Sequence, residues 1–230
     1  MKPERKEALA QFHRSQIIAA VRRLYESSGE VAVTMDDIAR EAGYSKATLY
    51  VYFSGKEEIG RAIALWSMRA LLETLRLAAR EPGGFHERAL ALCRALADFY
   101  ERDPWSFDYA AGEVEFDPGS PAAPQVLLDI YETGEEITRL VGGLLEEGAA
   151  QGEVLVGGLL EEGAAQGEVG APLDVPAAVL LFWGSLCGMI KMAGAKERYI
   201  RLSLGLSRRE FLERGFTLLL GSLGGGRGNG

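Results

Sequence analysis

Apolar positions recur along this chain at three- and four-residue steps, the spacing of helices with one buried face, and the alternation that marks strands is sparse. From Glu7, the series Phe12, Ile17, Val21, Leu24 and Tyr25 marks a first amphipathic helix that ends near Ser27-Ser28-Gly29. A short connection, Glu30 to Val33, leads into a compact motif running from Thr34 to Phe53. A long helix is predicted from Lys56 to Arg80, stopped by Pro82-Gly83-Gly84, and another from Phe85 to Arg102, closed by Asp103-Pro104. An aromatic stretch (Trp105, Phe107, Tyr109, Phe116) and a breaker cluster from Pro118 to Pro124 follow. Helical spacing resumes from Gln125 to about Gly148, and two apolar helices, Val175–Ala193 and Arg208–Leu220, complete an all-α pattern.

Residues 140–154 read LVGGLLEEGAAQGEV, and residues 155–169 repeat them letter for letter. Two copies are too few for a solenoid, which needs about three to bury a shared core. The repeat reads as an insertion tolerated at a helix end, where added length costs little closure entropy, or as an added interaction arm. A break near Gly152 and a short second helix are expected.

The stretch TMDDIAREAGYSKATLYVYFSGKEEI, from Thr34, has a mechanical reason at nearly every position. Thr34 is a good N-cap, Asp37 stands at the third helical position of a capping box, and Val33 and Ile38 form a hydrophobic staple. Ile38, Ala39 and Ala42 make the buried face of this short helix, and Gly43 supplies the left-handed residue of a tight turn. Ser45 caps a second helix, with Tyr44 and Leu49 as its staple. Leu49 and Phe53 close the core, leaving Lys46, Ala47, Thr48 and Tyr52 to face outward. A helix this short is marginal in water, so packing must hold it. Ser54-Gly55-Lys56-Glu57 then spells a capping box for the long helix, whose open N–H groups suit a phosphate.

This stretch resembles the signature of the tetracycline-repressor (TetR/AcrR) family, T-x-x-DIA-x-x-AG-x-S-x-x-TLY-x-YF-x-x-KEE, closely over residues 34–59. The resemblance implies an N-terminal three-helix, helix-turn-helix DNA-binding domain (residues 1–56) and a C-terminal helical ligand-binding and dimerisation domain (57–221), with a disordered tail (222–230). It implies a homodimer on double-stranded, palindromic operator DNA, answering to a small-molecule effector and usually repressing. The implied phosphate contacts are Thr34, Ser45, Tyr50 and Lys56, while Tyr52 stands where many members have histidine. Tyr44, Lys46, Ala47 and Thr48 are placed to meet base edges, Lys46 at guanine and Ala47 or Thr48 at a thymine methyl. Phe182, Trp183, Leu186, Met189, Phe211 and Leu218, on the last two helices, are expected at the dimer interface, with burial inside one subunit as the competing reading. Such a dimer sets its recognition helices about one DNA turn apart, roughly 34–36 Å, or a multiple of it. Trp66, Phe99, Trp105, Phe107, Tyr109 and Tyr131 are candidates to line an effector pocket, or to be core.

The formal charge of −8 changes this picture only after it is divided. Residues 1–60 hold nine basic and nine acidic side chains, so the whole deficit lies in residues 61–230. DNA senses charge within about a Debye length, roughly 8–10 Å, so a neutral head on an acidic body is compatible with binding. Cys93 and Cys187 form no CxxC or disulfide pattern, and the charged N-terminus lacks a secretory apolar core, so a cytoplasmic location is expected. No run of 18 apolar residues suggests a membrane span. The two histidines, His13 and His86, stand in no metal or catalytic spacing, and no GxSxG, P-loop or dinucleotide motif occurs. Neither an enzyme nor a bound cofactor is expected. Glu113, Glu115 and Asp117 read as a cation patch or a solvated acidic loop. The alternative function is a helical protein–protein adaptor that has lost DNA binding.

Overall fold

The helix that follows the motif joins the N-terminal helices to the middle of the chain. A computed structural model describes residues 3–28, 33–112, 123–151 and 175–223, and every regular element in them is helical. The chain runs α1 (Pro3–Ser28), α2 (Met35–Ala42), α3 (Lys46–Tyr52), α4 (Lys56–Ala79), α5 (Phe85–Arg102), α6 (Pro104–Ala111), α7 (Gln125–Ala150), α8 (Val175–Ala195), α9 (Glu197–Leu204) and α10 (Arg208–Leu223). Helix α4 packs on α5, α6 and α7, α1 packs on α2 and α3, and α10 packs on α5, α8 and α9.

Two main buried clusters follow from this arrangement. The first joins Ile17 of α1, Ile38 and Ala39 of α2, Leu49 and Phe53 around α3, Ile59 and Ile63 of α4, and Trp105 of α6. The second fills the body with Leu71 and Leu75 of α4, Leu92 and Leu96 of α5, Val141 and Leu145 of α7, Phe182 and Leu186 of α8, and Phe216 of α10. Helix α4 feeds both clusters, so a shift of α4 is felt at either end. Ion pairs tie the outer rims, Arg94 to Glu213 through two bonds of 2.7 Å and Arg69 to Asp129 at 3.1 Å. Exposed pairs of this kind contribute about 0–1 kcal/mol each, so the apolar core dominates.

Several sequence expectations need correction. Asp103-Pro104 does not only end α5; it also opens α6, with the Asp103 carboxylate accepting from the Ser106 N–H at 3.1 Å and Pro104 in the first turn. The aromatic stretch is therefore helical. Helix α9, capped by left-handed Gly205, had no expectation attached to it. Helix α7 runs through Gly142, Gly143 and Gly148 to Ala150, so the first repeat copy largely continues a helix whose Val141, Leu144 and Leu145 are buried. Residues 152–174, which include the second copy and the expected break, lie outside the described residues, as do Glu113, Glu115 and Asp117. Helix α10 reaches Leu223, past the start of the expected tail at Ser222.

The partner face also differs. Phe182 (3% exposed) and Leu186 (0%) are sealed inside their own subunit, so they cannot also form a surface for a second copy. Trp183, Met189 and Phe211 are half-buried against the same core, and Leu218 alone of the six stands out, at 75%. Gly215 of α10 lets Met189 approach: an added Cβ would collide with its Sδ. The exposed stripe of α8 is instead Leu180, Leu181, Gly184, Gly188 and Met192. Pro176–Ala195 is long and apolar enough to cross a membrane by composition, contrary to the expectation. Its other face, with Val179, Phe182, Leu186 and Ile190, is core of the body, which accounts for part of that composition.

Leu92 is fully buried at the centre of the body. Leu92→Ala is expected to destabilise the chain by about 2–5 kcal/mol in urea unfolding, because neighbouring helices cannot collapse into the void.

Candidate nucleic-acid interface

The site is built from two short helices joined by a tight turn. Thr34 caps α2: its Oγ1 accepts from the Asp37 N–H at 3.2 Å, and the Asp37 carboxylate accepts from the Thr34 N–H at 3.1 Å and its hydroxyl at 2.5 Å. These bonds from Thr34, side chain first, hold the Asp37 carboxyl below its ordinary value. Gly43 sits at φ 73°, where a side chain is strained, and the Tyr44 N–H donates to the Ala39 carbonyl at 2.9 Å. Ser45 then caps α3, its Oγ accepting from the Thr48 N–H at 3.0 Å.

Helix α3 is seven residues long and is held from behind. Leu49 and Phe53 are buried, and the Arg14 guanidinium of α1 lies 4.1 Å from the Phe53 ring centroid. Arg14 also donates to the Tyr52 carbonyl at 2.7 Å and to Glu58 at 3.0 Å. Glu58 in turn accepts from the Ser54 N–H at 2.8 Å and hydroxyl at 2.9 Å. The box at the start of α4 is thus closed by Glu58, not by Glu57 as the spelling suggested, because Gly55 takes the cap position.

Outward stand Lys46, Ala47, Tyr50 and Val51, with Thr48 partly covered. Val51, at 76% exposure, is a member of this face that sequence reasoning missed, although its four-residue step from Ala47 marks it. Lys46 is held by Asp36 of α2 at 2.9 Å, and the hydrogen bond to Asp36 raises its pKa, so it stays a cation. Tyr44 and Tyr52 are half-buried rather than free: the Tyr44 hydroxyl is 2.6 Å from His13 Nδ1, and the Tyr52 ring centroid is 5.0 Å from that of His13. His13 thus positions two expected contacts. Lys56 is exposed at the start of α4, and Thr34 and Ser45 are exposed at their helix ends.

The six residues proposed for an effector pocket do not come together. Trp66 and Tyr131 are exposed, Phe99 and Phe107 are buried in the body core, and Trp105 and Tyr109 pack at the junction of head and body.

Two capped helices at a glycine turn, with a braced second helix whose outer face is open, define a helix-turn-helix. Residues 17–63 match the family described as bacterial regulatory proteins, tetR family. The HTH-type transcriptional activator FasR of Mycolicibacterium smegmatis is 30% identical over 132 residues, which span 57% of this chain and 58% of that protein. A TetR/AcrR-family transcriptional regulator from Thermobifida fusca superposes with a TM-score of 0.55 at 25% identity, covering 90% of this chain and 96% of that one. FadR of Bacillus subtilis, solved in complex with stearoyl-CoA, shares the fold at a TM-score of 0.57 and 17% identity, over 90% and 97% of the two chains. The family match lies in the helix-turn-helix head, which is similar to the TetR-family DNA-binding region.

The α3–α4 brace carries a pH dependence. Partial burial pushes Glu58 up, but the Ser54 bonds and Arg14 outweigh it, leaving its pKa lowered. A carboxylate with a depressed folded pKa stabilises the fold above its unfolded value, about 4.3, and that contribution is lost as pH falls through the lower folded value. Thermal melts of Glu58→Gln against the parent are expected to differ at pH 7 and to converge on acidification below that value.

Proposed function

We propose that this chain is a sequence-specific, ligand-responsive transcriptional regulator that binds a palindromic duplex as a homodimer. The observation that carries the reading is helix α3: Leu49 and Phe53 anchor it, and Lys46, Ala47, Tyr50 and Val51 face away from the protein. Lys46 supplies a donor for guanine, and Ala47 and Val51 supply apolar contacts for thymine methyls. Thr34, Ser45, Tyr50 and Lys56 are the phosphate contacts, which fix register and orientation. Tyr44 and Thr48 border the same face, with Tyr52 behind them.

The exposed Leu180, Leu181 and Leu218 support a two-fold partner surface on α8 and α10, where Gly184 and Gly188 leave room for a close approach. FadR was solved holding stearoyl-CoA, which supports a ligand-responsive body here. Repression is the sign of regulation we put forward, although the relative FasR is named an activator. Burial pushes the Cys93 thiol up to about 12 and the Cys187 thiol up to about 11, so neither is a ready nucleophile, in keeping with a non-enzymatic role.

Selection of bound sites from random duplex DNA, followed by titration across a salt series, tests the reading. Binding should weaken steeply with salt, and Lys46→Ala should cost about 1–3 kcal/mol on the selected site while affecting other sequences less. Binding that ignores salt, or no selected sequence, would leave an adaptor. Leu218→Glu paired with Leu180→Glu should shift the chain to monomer in sedimentation and weaken operator binding at least about tenfold. A dimer that survives both changes would move the interface elsewhere.

A further inference from the structure

A cavity of about 260 Å³ lies between head and body, walled by α1, the start of α2, α4 and α6. Its floor and sides are apolar, including Ile38, Ile59 and Ile63, and three aromatic side chains, Tyr25, Trp105 and Tyr109, complete it. The Trp105 and Tyr109 rings meet edge to face at 5.0 Å between centroids, and Tyr25 lies 6.4 Å from Trp105. Three features point to a ligand. Trp105 is 5% exposed, and its Nε1–H is sealed from solvent with no acceptor among the described residues. A buried donor left unpaired costs about 1–3 kcal/mol, which an arriving acceptor would recover. Lys56, the cation on this cavity, has no carboxylate partner among the described residues. Gly60 stands inside α4 where alanine would favour the helix by about 1 kcal/mol, yet a Cβ added there meets nothing within 4 Å. The space opposite it is left open.

We propose that this head–body cavity is a binding site for a small aromatic carboxylate, its ring against Tyr25 and Tyr109 and its carboxylate at Lys56, where a turn of the Trp105 indole brings the Nε1–H to it. The size fits: a cavity of about 150 Å³ holds benzene, so this one has room for a ring and a short acidic chain. Burial, then the neighbouring Tyr25, raises Tyr109, so its hydroxyl keeps its proton and can donate as well. A bound acid would engage Lys56, one of the proposed phosphate contacts, and would wedge α6 from α1, which are joined by the Arg22–Asp103 ion pair at 2.9 Å. The effect on DNA rests on the regulator reading; the site itself does not.

The test uses the full chain without DNA, titrated calorimetrically with 4-phenylbutyrate and with 4-phenyl-1-butanol, which lacks the carboxylate. Saturable binding of the acid, one per chain, is expected, with the alcohol at least about fivefold weaker. Gly60→Leu fills the space and adds helix propensity, so it should keep the fold and weaken the acid at least about tenfold. Trp105→Phe, which removes the donor but keeps a ring, should weaken it about three- to tenfold. No saturable heat, or undiminished binding by Gly60→Leu, would overturn the site. Ligand binding lost in Gly60→Leu upholds the site even if no duplex is ever bound, whereas duplex binding with no ligand heat overturns the site and leaves the regulator reading standing.

Discussion

A seven-residue helix cannot stand by itself in water, and the whole functional surface depends on one that must. Isolated helices shorter than about 12–15 residues are marginal, because nucleation fixes several residues for a single hydrogen bond. Helix α3 exists because Leu49 and Phe53 are removed from water between α1, α2 and α4, and because Arg14 and Glu58 clamp its C-terminal end. Its outer side chains are exposed as a direct consequence. The same burial that stabilises the helix settles which residues can reach a partner.

The brace also links the head to the body. Ile59 and Ile63 sit in the head cluster, while Leu71 and Leu75, two to four turns further along the same helix, sit in the body core. Trp105 reaches the head cluster from α6, two residues before Phe107, which is buried in the body. A rigid helix and a short one therefore connect the exposed face of α3 to the packing of the body. Any event that moves α4 or α6 changes where α3 is aimed, which is the physical requirement for a ligand to shift a population between binding states.

Much of this was legible in the sequence. The bounds of α5 and the start of α4 follow from spacing and breakers, and the caps at Thr34 and Ser45, the turn at Gly43 and the buried Leu49 follow from local chemistry. What was not legible depends on neighbours distant in the chain. Phe182 and Leu186 look like any apolar helix face, and only the packing of α8 on α7 and α10 shows that they are consumed within one subunit. The tie of Tyr44 to His13 spans 31 residues, and the partnership of Ser54 with Glu58 rather than Glu57 turns on which residue takes the cap. Aromatic composition likewise suggested one pocket where the structure distributes six residues among surface, body core and junction.

The central claim is that the outer side of α3 is what a duplex touches. Amide hydrogen exchange of the full chain, with and without a duplex chosen by selection, tests it most directly. Protection should concentrate from Ser45 to Tyr52 and at the start of α4 near Lys56. Protection confined to the body helices, with α3 exchanging as in the free protein, would contradict it.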